Sequence, residues 1–150
     1  MRVVVQRVTR ASVTVEGNEI AHIGNGILAL VAIAVHDNEE VLEWMARKIV
    51  ELRIFDDKDG RLNLNLLEVR GQLLLVSQFT LYGDCRKGRR PSYTDAAPPA
   101  QAQALYDKFV QFVRRWVPDV ETGQFQAAME VELVNSGPVT LIIDSRQGSN

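Results

Sequence analysis

Ser77-Gln78-Phe79-Thr80 is the stretch of this chain best suited to chemistry. Two hydroxyls and an amide follow directly on the apolar run Leu73-Leu74-Leu75-Val76, and Leu81-Tyr82-Gly83 closes the segment. A buried strand ending this way releases backbone N–H groups from its ladder, and such strand ends are where rigid scaffolds carry binding and catalytic groups. N–H groups of Phe79 and Thr80, beside the Ser77 hydroxyl and the Gln78 amide, would suit stabilisation of an oxyanion. The best partner for this stretch lies far downstream, in the turn Asn135-Ser136-Gly137-Pro138-Val139-Thr140.

Other chemistries find less support. The two histidines, His22 and His36, have no second ligand at a metal spacing, so no metal site is expected. No serine or threonine stands in a G-x-S-x-G elbow, so Thr80 could act as a nucleophile only if an unseen base reached it. Cys85 beside Arg86 and Lys87 is either a plain surface thiol or, with its pKa depressed by those cations, a thiolate nucleophile. Arg86-Lys87-Gly88-Arg89-Arg90 places four cations in five residues. Taken alone, such a run is more often a solvated face than a binding site.

The elements that must position these groups read in order along the chain. Residues 1–9 alternate as a strand, and residues 12–16 do so again before Gly17-Asn18, which predicts a hairpin returning over residues 20–23. Gly24-Asn25-Gly26 matches part of a dinucleotide fingerprint. That motif must open a helix, whereas Ile27 to Val35 has the branching and length of a buried strand, so the match is rejected. Asp37 with Glu40 begins a helix over about 38–52, with Val41, Met45, Ile49 and Leu52 at helical spacing. Asp57-Lys58-Asp59-Gly60 is an Asp-Gly turn and not a calcium loop, because Phe55 and Leu66 fall where carboxylate ligands belong.

After a strand over residues 61–67, a central strand is predicted over residues 72–82. Pro98-Pro99 opens a second helix with the stripe Leu105, Phe109, Phe112 and Trp116, stopped by Pro118. Residues 131–134 and 139–144 make two more strands around Gly137-Pro138, and residues 147–150 a frayed end.

The chain has 150 residues, enough for one domain burying roughly 70% of its unfolded surface. Hydrophobic content of 46% with 24% charge is ordinary for a globular α+β protein, and no apolar run reaches the roughly 18 residues of a membrane helix. A lone cysteine and the absence of a signal-peptide pattern fit a reducing cytoplasm. A net charge of −2 disfavours a broad grip on nucleic acid but permits contact with one nucleic-acid end.

With these stretches in place, the chain resembles the D-aminoacyl-tRNA deacylases. Carrying the likeness are Gln6-Arg7-Val8, Arg53-Ile54-Phe55, Ser77 to Tyr82, Arg86 to Ser92, Glu121-Thr122-Gly123, and Leu133-Val134-Asn135 running into Gly137-Pro138-Val139-Thr140. The resemblance implies a barrel-like single domain of mixed and antiparallel sheet bearing two main helices. It also implies a homodimer in which Gly137-Pro138, with a cis peptide bond, enters the partner's site beside Ser77 to Thr80. Arg7 is then expected to brace that turn, Phe125 and Met129 to lie near the terminal adenosine, and Arg86, Lys87, Arg89 and Arg90 to meet tRNA phosphates. No cofactor is implied.

Many relatives carry Asp where Ser136 stands, a small residue at Gln126 and Asp at Ala128. Family mechanisms differ over whether Thr80 attacks or the tRNA 2′-OH assists water, and the lack of a visible base favours the second. The implied reaction is ester hydrolysis of D-aminoacyl-tRNA, extending to glycyl-tRNA, as chiral proofreading in translation. The alternatives are a Cys85 thiol hydrolase and a non-catalytic RNA-binding module of the same fold.

Overall fold

The first strand, β1 (Arg2–Val15), is the spine of the molecule, which is described by a computed structural model over residues 1–147. Val3 and Val5 are buried, then Val8, then Ala11 and Val13, so the inward phase slips twice. Each slip coincides with a register shift against the last strand, on either side of Val8. One irregular residue moves the following side chains to the other face of a sheet, and here it switches β1 from one core to another. Val3 and Val5 pack under the helices, while Val8, Ala11 and Val13 face the interior of the curled sheet. The two predicted strands at residues 1–9 and 12–16 are therefore one bulged strand.

β1 turns through Glu16-Gly17, both at positive φ, into β2 (Asn18–Ile23). The turn pair is thus one residue earlier than predicted. β3 (Gly26–Ala32) returns antiparallel along the first half of β1. The helix α1 (Glu39–Glu51) is capped by Asn38, whose Oδ1 accepts from Val41 N at 3.1 Å. Asp37, the predicted start, instead accepts from the Met1 amino group at 2.5 Å and from Ala34 N at 2.7 Å.

Next come the short strands β4 (Phe55–Asp56) and β5 (Leu62–Leu64), joined by a turn in which the Asp57 carboxylate accepts from the N–H groups of Asp59 and Arg61. The predicted strand over residues 61–67 is cut to its first half. β6 (Gln72–Ser77) lies parallel to β3, followed by a 3₁₀ turn, Phe79–Tyr82. The helix α2 (Pro99–Arg114) starts at the second proline and packs along α1. Its buried face is Ala102, Tyr106, Phe109, Val110, Phe112 and Val113, so Leu105 and Trp116 sit at its margins and not at its centre. Tyr106 donates to Leu75 O at 3.0 Å, fixing the helix to the central strand.

β7 (Glu121–Thr122) extends the sheet parallel to β6, and β8 (Met129–Asp144) runs antiparallel along the whole of β1. The sheet order is β2-β1-β3-β6-β7 with β8 on the other side of β1, a nearly closed, barrel-like mixed sheet carrying two helices. The two strands predicted at residues 131–134 and 139–144 belong to β8. Of the predicted frayed end, Gln147 closes a 3₁₀ turn begun at Ser145, and residues 148–150 lie outside the described residues. No helix among the described residues is long and apolar enough to cross a membrane.

The two ends of the fold meet beneath the 3₁₀ turn. Arg2 donates to Asp144 Oδ2 at 2.8 and 3.0 Å and to Leu81 O at 2.8 Å, while the guanidinium groups of Arg2 and Arg146 lie 5.0 and 5.2 Å from the centroid of the Tyr82 ring. Burial alone would raise the Asp144 carboxyl, but hydrogen bonds from Arg146 and Arg2 hold it well below its ordinary 3.8. A carboxyl depressed by folding stabilises above its unfolded pKa, and that contribution is lost as pH falls through the folded value. Asp144→Asn is therefore expected to lower stability by about 1–3 kcal/mol at pH 7. Its stability should also depend less on pH than the parent's below about 4, as read by urea denaturation across that range.

Candidate functional site

β6 does not run to Tyr82 as predicted but ends at Ser77, because Gln78 leaves the strand conformation at φ −144° and ψ 72°. Gln78 N still donates to Val31 O at 2.7 Å. Beyond it the chain coils, with Leu81 N reaching Gln78 O at 3.2 Å and Gly83 N reaching Thr80 O at 2.9 Å. The N–H groups of Phe79 and Thr80, in the first turn, have no hydrogen-bond partner among the described residues. The coil exposes the donors that a continued strand would have committed to its neighbours.

Ser77, Gln78 and Phe79 open into a cleft of about 680 Å³ between β6, the segment around Tyr93 to Pro99, and the loop entering β8. Phe125, Gln126, Ala127 and Met129 form its far wall, and Ile33 and Ala102 contribute apolar surface. The cleft thus brings together five of the sequence-predicted residues, Ser77, Gln78, Phe79, Phe125 and Met129. Thr80 does not line it. Its Oγ1 accepts from Gln78 Nε2 at 2.5 Å, and no acidic or imidazole group is hydrogen-bonded to it among the described residues.

Gly137-Pro138 lies elsewhere. Gln6 pairs with Thr140 and Val8 with Asn135, so Ser136, Gly137, Pro138 and Val139 bulge out of β8 opposite the single residue Arg7. The Gly137-Pro138 bond is cis, both residues are exposed, and Val139 is buried as the anchor. Arg7 Nε donates to Ser136 O at 3.2 Å and Nη1 to Ile54 O at 2.8 Å, with Asp56 3.4 Å from the same guanidinium. Asn135 Nδ2 closes the neck of the bulge by donating to Arg7 O at 2.9 Å and Val139 O at 3.0 Å. A guanidinium's fixed fork and an amide's paired donors suit the holding of carbonyls in set directions. Neither Arg7 nor the bulge lines this chain's own cleft.

The cationic loop is closed by the pairing of Asp84 with Ser92, at 2.8 and 3.0 Å, and Gly88 takes φ +70° at its tip. Arg86 is turned back onto Asp84 at 2.7 Å, and hydrogen bonds from Arg86 push the Asp84 carboxyl down to about 2. Lys87, Arg89 and Arg90 are exposed and make no ion pair among the described residues. Cys85, at the foot of the loop, is exposed and unbridged.

A sequence profile described as D-Tyr-tRNA(Tyr) deacylase matches residues 4–144. The chain belongs to that family. Relatives named D-aminoacyl-tRNA deacylase include one from Thermosipho africanus, 54% identical over 98% of this chain and 99% of its own length. Another, from Bacillus velezensis, is 56% identical over 98% of this chain and all of its own length. Among solved structures, one titled c-Myc DNA Unwinding Element Binding Protein superposes with a TM-score of 0.92 at 42% identity, covering 97% of this chain and 99% of that one. A second, titled as a probable eukaryotic D-amino acid tRNA deacylase, shares the fold with a TM-score of 0.81 at 20% identity, covering 95% and 97%.

Within this deacylase family chain, the departures at Ser136, Gln126 and Ala128 fall at different kinds of place. Ser136 meets Arg7 through its carbonyl, so its side chain takes no part in the brace. Gln126 lines the cleft from a left-handed backbone at φ +60°, where a small residue sits more easily. Ala128 is exposed and outside the cleft. Tyr93 in the cleft wall and Asn135 at the neck of the bulge lie outside the set of site residues expected from the sequence. An aromatic just past a charged loop and an amide four residues before a β-branched anchor are the signals that were available.

Proposed function

We propose that the chain hydrolyses the ester bond of D-aminoacyl-tRNA, releasing the D-amino acid and tRNA, as a cytoplasmic homodimer. In this reading Gly137-Pro138 of one copy enters the cleft of the other beside Ser77 to Thr80. The carrying observation is the exposed bulge, braced on both sides by Arg7 and Asn135 yet absent from its own cleft. Such bracing has no evident use for a turn that faces only water. Membership of the deacylase family supports the same assignment.

An enzyme that accepts many D-amino acids cannot read the side chain, so it must read the amino group and the direction of Cα. Fixed carbonyls of the bulge would receive the amino group, and an L-side chain presented with amine and ester in place would collide with the turn, which is discrimination by repulsion. Glycine has nothing to collide, so glycyl-tRNA is hydrolysed as well. Water, assisted by the vicinal 2′-OH, adds to the ester carbonyl, and the N–H groups of Phe79 and Thr80 stabilise the oxyanion. Collapse then expels the 3′-oxygen, which takes up a proton. One aligned oxyanion donor contributes about 10²–10³ in rate, enough to matter for an already activated ester.

Thr80 serves here through its backbone, its hydroxyl being tied to Gln78. Thr80→Val is expected to keep kcat within about tenfold of the parent, against the loss of 10⁴ or more that removing a true nucleophile brings. Single-turnover hydrolysis by folded, substrate-binding protein distinguishes the two. Lys87, Arg89 and Arg90 are the cations assigned to phosphate contacts. Three contacts at about 0.7 each predict a slope near −2 for log affinity against log salt, and a flat response removes the loop from the interface.

The deciding experiment incubates the purified protein with D-tyrosyl-, L-tyrosyl- and glycyl-tRNA and follows released amino acid, with sedimentation to read the oligomeric state. Release from the D- and glycyl-esters but not the L-ester is expected, from a dimer. Equal release from both enantiomers, or full activity as a monomer, overturns the proposal.

A further inference from the structure

We propose that the Phe79–Tyr93 pair is a stacking subsite for an unpaired nucleobase, the one preceding the nucleotide that carries the ester. This inference rests on the proposed function and extends it from the terminal nucleotide to its neighbour. Phe79 and Tyr93 are large rings left 54% and 38% exposed, in edge-to-face contact with centroids 5.2 Å apart and planes at 68°. Both belong to the wall of the cleft and keep much of their surface open to solvent. Apolar rings on a soluble surface call for an occupant when they sit together beside a binding site.

Tyr93 is also seated in advance. A Cβ at Gly83 would come within 3.1 Å of Tyr93 Cε1 and 3.0 Å of Thr80 O, so the absence of a side chain there lets the ring lie against the backbone that leaves the 3₁₀ turn. The ring is thereby coupled to the strand end that carries the free N–H groups.

Charge identifies the occupant. Tyr93 directly follows Ser92, whose pairing with Asp84 closes the loop holding Lys87, Arg89 and Arg90. Phosphate-binding cations and base-sized aromatic faces on one short segment form the combination that holds single-stranded nucleic acid with little regard to sequence. A base inside a duplex cannot use it without leaving the stack, whereas the bases of an unpaired tail are already free to do so. The subsite therefore favours a single-stranded acceptor tail and reads the presence of a stacking base rather than its hydrogen-bonding edge. The alternative occupant, an apolar amino-acid side chain of the substrate, would not need the neighbouring cations.

The test uses a trinucleotide ending in adenosine with 2-aminopurine in the middle position, whose fluorescence is quenched on stacking. It is titrated into the parent protein and into Tyr93→Phe, Tyr93→Leu and Tyr93→Ala, with melting curves confirming folding. Quenching is expected with the parent and Tyr93→Phe. Affinity should fall about 5- to 150-fold in Tyr93→Ala, and Tyr93→Leu should remain weak because it restores bulk without a π-face.

In deacylation, KM for D-aminoacyl-tRNA should rise by a similar factor, and KM for D-aminoacyl-adenosine, which lacks the preceding base, several-fold less. Absence of quenching with the parent, rescue by leucine, or equal losses on the two esters overturns the subsite. Quenching that obeys the expected series in a protein inert on both esters supports the subsite and defeats the deacylase reading instead.

Discussion

Arg7→Ala is expected to lower kcat/KM on D-aminoacyl-tRNA by about 100-fold, the scale of loss that follows when a positioning group is displaced by an ångström or so. Among the described residues Arg7 is the only side chain that ties the Ser136 carbonyl to the Ile54 carbonyl, at 3.2 and 2.8 Å, and it lies opposite the four bulged residues of β8. Without it both carbonyls lose their donor, at about 1–3 kcal/mol for each group left buried and unsatisfied, so some loss of stability accompanies the kinetic defect. Arg7→Lys separates the two effects. A lysine keeps the charge beside Asp56 but offers a point donor where a fork is needed, so it should recover stability more than activity. Because the bulge acts in the partner's cleft in the proposed dimer, the defect should also appear as a narrowed ratio of D- to L-ester hydrolysis. An Arg7→Ala protein that is destabilised yet retains full rate and selectivity would show that the residue serves only the fold.

Gly26→Ala is expected to be the most damaging glycine-to-alanine change among the described residues. A Cβ at this position would lie 1.8 Å from Gln72 O and 2.7 Å from the same residue's C and N, all backbone atoms that cannot step aside. Gly26 opposes Gln72 in the first pair of the parallel β3–β6 ladder. The strands must part there or slip, at a cost of about 3 kcal/mol or more. β6 ends in Ser77, so a slip at its start is carried to the reactive turn at its end. The expected outcome is a poorly soluble protein, or a folded one with a Tm lower by about 10 °C and reduced kcat. Gly17→Ala, where a Cβ meets nothing within 4 Å, is the control that separates crowding from backbone strain at positive φ.

The same glycine shows what could be read before the structure. Gly24-Asn25-Gly26 had the spacing of a nucleotide-binding loop, and the branched run after it was enough to assign a strand instead. What the run could not show was the reason for the glycine, since close approach of two backbones depends on which strands become neighbours. Helix spans, the Asp57 turn and the apolar central strand were legible because each is local, set by periodicity and turn chemistry. The end of β6 was missed because Phe79, Thr80 and Tyr82 are good strand residues. Tertiary context decides there, with the buried Tyr82 ring in contact with two guanidinium groups and Leu81 O held by Arg2.

The candidate site divided in the same way. Ser77, Gln78 and Phe79 could be found as polar and aromatic residues at a strand end, and Phe125 and Met129 only through family resemblance. Residues that act by holding others, such as Asn135, and residues that converge from distant segments, such as Tyr93, left no pattern in one dimension. The merging of two predicted strands into β8 had the same origin. Four residues can leave a ladder and return to it without ending the strand, provided one side chain of the neighbour fills the gap, and Arg7 does so.

Arg2 and Asp144 stand 142 positions apart, yet their contact is what fixes Arg2 against the Leu81 carbonyl. Loop closure over so long a span comes late in folding, after the local helices and hairpins have formed. During synthesis the segment around Ser77 must therefore wait, already emerged but unset, until the far end of β8 has joined it. A nascent or truncated chain lacking residue 144 would carry every reactive group of the cleft and still leave the 3₁₀ turn without its anchor, so competence is deferred until Asp144 has been made and has docked on Arg2.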